Sequence, residues 1–309
     1  MKAANLFCIG CPKSGTTTLF KILCQHSQIH TPKFKEPFFF NNSNYKNGIE
    51  WYANTYYEDA KSEDWILDFT PSYLYSDEAL FRIKEYSKGK DLKFIVMLRN
   101  PVERAYSHYL HTLRDGLENL DFNDAIQAES ERLRSHKNNL LSQLKYSYIY
   151  QSLYHKHLSK YFEFFGRNNF FVINYDSQLL DTNEFRLMIN ELQAFLEIKE
   201  ENLNIKIKEN FASVSKFKIL QTLLNSNGLH KRIARLLFSK LNRQILTNKL
   251  RKLNEKKMVK KDIEAEFKKN LYDKYFHADV LKLESLLKKK LNINFSIAWS
   301  FKAKTKFTT

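Results

Sequence analysis

Gly10-Cys11-Pro12-Lys13-Ser14-Gly15-Thr16-Thr17-Thr18 is a phosphate-binding loop whose lysine is displaced. A nucleoside-triphosphate loop reads G-x-x-x-x-G-K-[ST], with lysine beside the hydroxyl residue that ligates Mg²⁺. Gly10 and Gly15 keep that spacing, but Thr16 stands at the lysine position and the loop's only cation is Lys13. The apolar run from Asn5 to Ile9 predicts a buried parallel strand and Thr16 to Leu23 a helix, so the amides of residues 14 to 18 and the helix dipole converge on one anion. Strand, loop and helix in this order predict an α/β class. One lysine, several hydroxyls and no evident metal carboxylate suit a phosphate that carries another group, transferred without a metal.

A second anion site follows about ninety residues on. Lys93 to Leu98 is a short apolar run of buried-strand type, followed by Arg99-Asn100-Pro101-Val102-Glu103-Arg104. Asn100 suits an N-cap, Pro101 the first helical position, and Glu103 a capping-box partner; the helix is expected to run through Ala105, Tyr109 and Leu113 to Gly116. Arg99 thus sits at the carboxyl end of a strand, where open α/β sheets bind ligands, and Ser107 two turns into the next helix. A guanidinium fork with a hydroxyl makes a phosphate clamp.

These two stretches resemble the cofactor motifs of sulfotransferases that use 3′-phosphoadenosine 5′-phosphosulfate. The resemblance implies that Lys13, Ser14, Gly15, Thr16, Thr17 and Thr18 hold the 5′-phosphosulfate, that Arg99 and Ser107 hold the 3′-phosphate, and that adenosine 3′,5′-bisphosphate is the product, with no metal. It also implies a three-layer, P-loop-like α/β fold with a mainly parallel central sheet. Lys35-Glu36-Pro37-Phe38-Phe39-Phe40 resembles the K-E-x-H-F-F segment of heparan-type glucosaminyl sulfotransferases and their bacterial relatives, in which the Glu is the proposed general base. The implied acceptor is a hydroxyl or amine of a glycan or glycolipid. The chain departs from that pattern at Phe38, where His is common. It departs again at Asp68-Phe69-Thr70-Pro71-Ser72-Tyr73, which is similar to the E-K-T-P-A-Y segment but has Phe69 in place of Lys. Rings at Phe38, Phe39 and Phe40 are expected to raise the Glu36 pKa toward usefulness. Glu36 is otherwise a solvated loop carboxylate. Asp68 is either an active-site carboxylate at a strand end or a cap for the turn at Thr70-Pro71.

Further along, Tyr148 to Phe165 carries helical periodicity, Phe170 to Tyr175 reads as a core strand and Phe185 to Leu196 as a helix. At 309 residues, with 43% hydrophobic content and only 7 Gly and 5 Pro, the chain is expected to fold as one sulfotransferase domain over 1–309. Within it, residues 1–200 form the α/β core and residues 201–309 a basic, mostly helical region; residues 117–145 read as a surface helix and loop. Cys8, Cys11 and Cys24 exclude a disulfide framework, and with only Cys24 left over beside the C-x-x-C and no histidine pair nearby at ligand spacing, a zinc site is not completed. Without a signal peptide or an apolar run of about eighteen residues, the expected location is cytoplasmic, with peripheral membrane attachment as a further option.

The net charge of +16 is unevenly placed: residues 201–309 hold 26 Lys+Arg against 9 Asp+Glu, while residues 1–200 hold 24 against 25. Gly228 to Phe238 and Ile245 to Leu253 alternate aliphatic and basic residues at helical spacing. Such faces either hold an acidic polysaccharide or an anionic membrane surface, nucleic acid being disfavoured, or are solvated lysines on core-packed helices. The resemblance implies that this region folds over the cofactor, with Lys249, Arg251 and Asn254 as candidate phosphate contacts. Phe301 to Phe307 reads as a loose basic tail. The nine histidines form no triad or metal set. Two rival functions remain at this level, a P-loop kinase-like phosphotransferase and a non-catalytic polyanion-binding protein.

Overall fold

Short apolar runs separated by amphipathic helices become a parallel sheet in the computed structural model, which describes residues 2–32, 34–135, 139–207, 213–215, 250, 253–257, 263–287 and 299. Its strands are β1 (Leu6–Gly10), β2 (Ile29–His30), β3 (Trp65–Phe69), β4 (Lys93–Leu98), β5 (Phe170–Asn174), β6 (Ser213–Ser215) and β7 (Glu255–Lys257). Its helices are α1 (Thr16–Leu23), α2 (Gly48–Tyr57), α3 (Asp77–Tyr86), α4 (Pro101–Arg114), α5 (Phe122–Ser135), α6 (Leu140–Tyr146), α7 (Tyr154–Phe165), α8 (Thr182–Phe195), α9 (Ala265–Tyr275) and α10 (His277–Leu287). The chain divides into two compact units, one of Met1–Ala105, Ile149–Glu209 and Ile263–Thr309, the other of Tyr106–Tyr148 and Asn210–Asp262.

In the first unit the strand order is β2-β3-β1-β4-β5, and every neighbouring pair is parallel. The strands are buried on both faces, which is why they read as continuous apolar runs rather than alternating ones. Leu6 and Cys8 of β1, with Ile95 and Met97 of β4, pack under Leu19 and Ile22 of α1 and Met188, Ile189 and Leu192 of α8. Phe7 and Phe94 point the other way, stacked at 5.8 Å; Phe7 meets Tyr86 of α3, and Phe94 meets Tyr161 and Phe165 of α7. Helices therefore cover both faces of one sheet, giving the expected three layers. From β1 the chain runs out to the edge strand β2, returns through β3 beside β1 and then crosses to β4 on the other side of β1, so the direction of winding switches at β1, whose carboxyl end is where open α/β sheets bind ligands.

Asp279 of α10 accepts the amides of His155 and Lys156 at 2.9 and 3.1 Å, capping α7, whose own leading residue Leu153 has no capping side chain. His157 is buried against the Tyr150 carbonyl at 2.8 Å; burial lowers its pKa to about 4, so it packs as a neutral ring.

In the second unit, the segment expected to be one surface helix and a loop contains two helices, α5 and α6. The buried Glu118 carboxylate takes both arms of Arg132, at 2.6 and 3.0 Å, and the Tyr148 hydroxyl at 2.7 Å. Polar composition concealed this small interior because its charges are paired inside it. β6 and β7 form a separate antiparallel pair. No helix among the described residues is long and apolar enough to cross a membrane.

Candidate active site

Both glycines of the phosphate loop are fixed by close packing. A Cβ on Gly10 would stand 2.6 Å from Leu74, and one on Gly15 2.7 Å from Leu179 and 3.0 Å from the Tyr175 ring. Gly15 also has φ +80°, a left-handed geometry that side-chain-bearing residues resist. The loop is thus clasped by the segments that follow β3 and β5, and the Cys11 amide bonds to the Met97 carbonyl of β4 at 2.8 Å. The Thr18 amide closes the first turn of α1 on the Gly15 carbonyl at 3.0 Å, so it leaves the anion cradle expected of residues 14 to 18. The amides of Ser14, Gly15, Thr16 and Thr17 have no backbone acceptor among the described residues. The Ser14 Oγ is buried with no hydrogen-bond partner, a cost the fold tolerates where a ligand is to be met.

The second motif folds as its capping residues dictate. Asn100 Oδ1 accepts the amides of Val102 at 3.0 Å and Glu103 at 3.2 Å, and Pro101 opens α4. Glu103 does not return the bond as a capping box requires. The Asn100 amide goes to Asp176 Oδ2 at 2.5 Å, and Glu103 pairs with Lys268 of α9 at 2.8 Å. Asp176 also receives the Trp299 indole N–H at 2.9 Å. Arg99 donates from Nη1 to the Lys13 carbonyl at 2.9 Å and lies 4.8 Å over the Tyr175 ring, while its buried Nε has no partner. One guanidinium therefore joins the two motifs. Ser107 lies on α4, within the second unit.

Glu36 sits on the loop before α2 in a left-handed conformation, φ +65°, and Phe38 follows at +53°. Among the described residues only four non-glycine residues have positive φ, and three of them, Lys13, Glu36 and Phe38, belong to these motifs. Such conformations cost ~1–3 kcal/mol each and persist where the surroundings impose them. Phe39 and Phe40 do not shield Glu36 as expected. They are fully buried, Phe39 stacked on Tyr52 at 4.3 Å and Phe40 edge-on to Tyr73 at 5.8 Å. The neighbour of the carboxylate is instead Lys35, whose Nζ is 2.7 Å from Glu36 Oε1.

Asp68 needs correction as a catalytic candidate. It is 0% exposed and sealed by three hydroxyls: Tyr52 and Thr70 each at 2.6 Å and Tyr73 at 3.1 Å. Thr70 and Tyr73 in turn accept the amides of Phe38 at 3.4 Å and Phe40 at 3.2 Å. Asp68 is therefore the hub from which the Glu36 loop hangs, not a group that reaches substrate. Burial outweighs the three hydrogen bonds and pushes its pKa up to about 6. Because the folded value exceeds the unfolded one, the contribution of Asp68 to stability is greatest below pH 4 and is lost as pH rises through about 6, about 3 kcal/mol for ~2 units. The melting temperature of the wild type relative to Asp68→Asn is expected to drop across that window. An unchanged gap would show that Asp68 titrates normally.

Burial pushes the Cys11 thiol up to about 11 and raises Cys8 as well, so neither is a thiolate near neutral pH. Lys249 and Arg251 lie outside the described residues, as do Gly228 to Phe238 and the basic tail. Asn254 is buried, with its amide on the Leu250 carbonyl at 3.0 Å. Sequence reasoning missed Asp176, Tyr175, Trp299 and Lys268. All four reach the motifs from remote positions that no local pattern marks.

A loop without the triphosphate lysine is thus tied to an arginine at the end of the neighbouring strand in an α/β sheet, and the sulfotransferase domain family matches residues 4–270. The chain belongs to that family. It is similar to heparan sulfate glucosamine 3-O-sulfotransferase 5 of Mus musculus, 26% identical over 197 residues, which are 64% of this chain and 52% of that protein. It is also similar to heparan sulfate glucosamine 3-O-sulfotransferase 3B1 of Mus musculus, 32% identical over 192 residues, 62% of this chain and 45% of that protein. The bifunctional heparan sulfate N-deacetylase/N-sulfotransferase 4 of Mus musculus is 38% identical over 109 residues, 33% of this chain and 12% of that protein. The chain thus spans about half or less of these curated relatives. A solved sulfotransferase from Alicyclobacillus acidocaldarius shares the fold, with TM-score 0.63 and 22% identity over 94% of this chain and 98% of that one.

Proposed function

We propose that this chain transfers a sulfuryl group from 3′-phosphoadenosine 5′-phosphosulfate to a hydroxyl or amine of a carbohydrate, with Glu36 as general base. The observation that carries this reading is the Arg99–Lys13 link, flanked on one side by the unpartnered Ser14 Oγ and on the other by the unpartnered Arg99 Nε. Two buried polar atoms without partners, one in each of the linked motifs, fit the two anionic ends of one nucleotide. Lys13, Ser14 and the amides of residues 14 to 17 would hold its 5′ end, with the Thr16, Thr17 and Thr18 hydroxyls beside them, and Arg99 its 3′-phosphate. Ser107 is added to the 3′-phosphate site by resemblance alone. When bound, the nucleotide supplies an activated sulfuryl group with a phosphate as leaving group. Glu36 takes the acceptor's proton at a carboxylate oxygen. Lys13 and the loop amides offer fixed positive charge that needs no reorganisation during reaction. The carbohydrate acceptor is supported by the heparan sulfate sulfotransferases among the relatives, and an acidic glycan suits the charge of residues 201–309.

Adenosine 3′,5′-bisphosphate is expected to raise the melting temperature, since a ligand bound only by the folded state stabilises it by mass action. Arg99→Ala is expected to remove most of that shift. A full shift in the variant would remove Arg99 from the nucleotide site, and no shift in the wild type would count against the donor.

A further inference from the structure

Lys35 stands between the base and the phosphate loop. Its Nζ is 2.7 Å from Glu36 Oε1 and 3.4 Å from Thr17 Oγ1 on the first turn of α1, and it lies 5.4 Å from the centre of the Phe69 ring. Position 69 is where the similar sulfotransferase segment carries lysine. Here an aromatic ring occupies it, and its face supports an ammonium supplied from position 35, an attraction that aromatic faces give cations. The Thr17 amide beside it has no backbone acceptor among the described residues, so the ammonium rests at the rim of the anion cradle. Its four-carbon stem and three donors allow a change of partner by side-chain rotation alone. The Lys35 side chain is 19% exposed and that of Glu36 33%, so their pairing is only partly screened by water. Asp68, Tyr75 and Cys8 also sense the Glu36 charge, and of these only Asp68 is an acid that ionises near neutral pH.

We propose that Lys35 couples donor binding to release of the base: its ammonium holds the Glu36 carboxylate in the ligand-free protein and moves onto the anion in the phosphate loop when the sulfonucleotide binds. The inference rests on Glu36 being the base and the sulfonucleotide being the donor. The Glu36 oxygen that Lys35 occupies is freed for the acceptor's proton only once the group to be transferred is in place. Arrival of the donor and readiness of the base become one event.

The test is a double-mutant cycle on equilibrium binding of 3′-phosphoadenosine 5′-phosphosulfate, measured by titration calorimetry without acceptor. Lys35→Gln is expected to weaken binding ~5- to 10-fold, and Lys35→Arg to keep most of the affinity. Glu36→Gln is expected to tighten binding ~3- to 10-fold in the wild-type background, because the lysine is no longer shared. In the Lys35→Gln background the same change is expected to shift affinity by less than about twofold. Equal tightening in both backgrounds, or wild-type affinity in Lys35→Gln, would overturn the coupling while leaving the donor assignment intact. A wild-type protein that binds no sulfonucleotide would remove both.

Discussion

Glu36→Gln is expected to lower turnover by about 10²- to 10⁴-fold, the usual worth of a general base, without weakening the sulfonucleotide. The amide keeps the shape of the side chain, but it gives up the ion pair with Lys35 and cannot take a proton. Its backbone, at φ +65°, is held through Phe38 and Phe40 by Thr70 and Tyr73 and does not depend on the carboxylate's charge. Steady-state kinetics with labelled donor and a panel of heparan-like, capsular and lipid-linked acceptors measures both the loss of turnover and the retained hold on the donor. Retention of turnover within about threefold would dismiss Glu36 as the base.

The second large effect is expected at Lys13. Its replacement by Ala removes the loop's only cation, and turnover is expected to fall by about 10²- to 10³-fold, the scale of losing one preorganised charge-stabilising group. Affinity for adenosine 3′,5′-bisphosphate is expected to weaken far less, since the lysine's charge is needed most as negative charge develops on the leaving phosphate. Equal losses in rate and in affinity would make Lys13 an anchor and nothing more.

The framework of this site was legible in the chain because it is built from local rules. The strand, loop and helix around Gly10 and Gly15 obey spacing, and Asn100 and Pro101 announce the start of α4 through capping chemistry. What the sequence concealed depends on distance along it. Arg99 meets the carbonyl of a residue 86 positions away, and Asp176 meets an indole 123 positions away. No periodicity records such pairings. Asp68 was ambiguous for a different cause: an acid at a strand end looks alike whether it faces substrate or three hydroxyls, and only burial separates the two. Lys35 was in plain view beside Glu36, yet adjacency in sequence says nothing about which way a four-carbon side chain turns. Phe39 and Phe40 misled because aromatic rings serve a core as readily as a binding pocket, and here the core claimed them.

Lys13, Glu36 and Phe38 share an unfavoured backbone geometry, and that sets a direction for anyone who breeds this protein for heat tolerance. Glycine at any of the three would relax the chain, and stability screens that ignore activity reward such relief. At Lys13 and Glu36 the variants such a campaign finds first are expected to be sturdier and inert. An industrial evolution scheme would therefore have to score product alongside melting point from its first round, or it would erase the chemistry it set out to preserve.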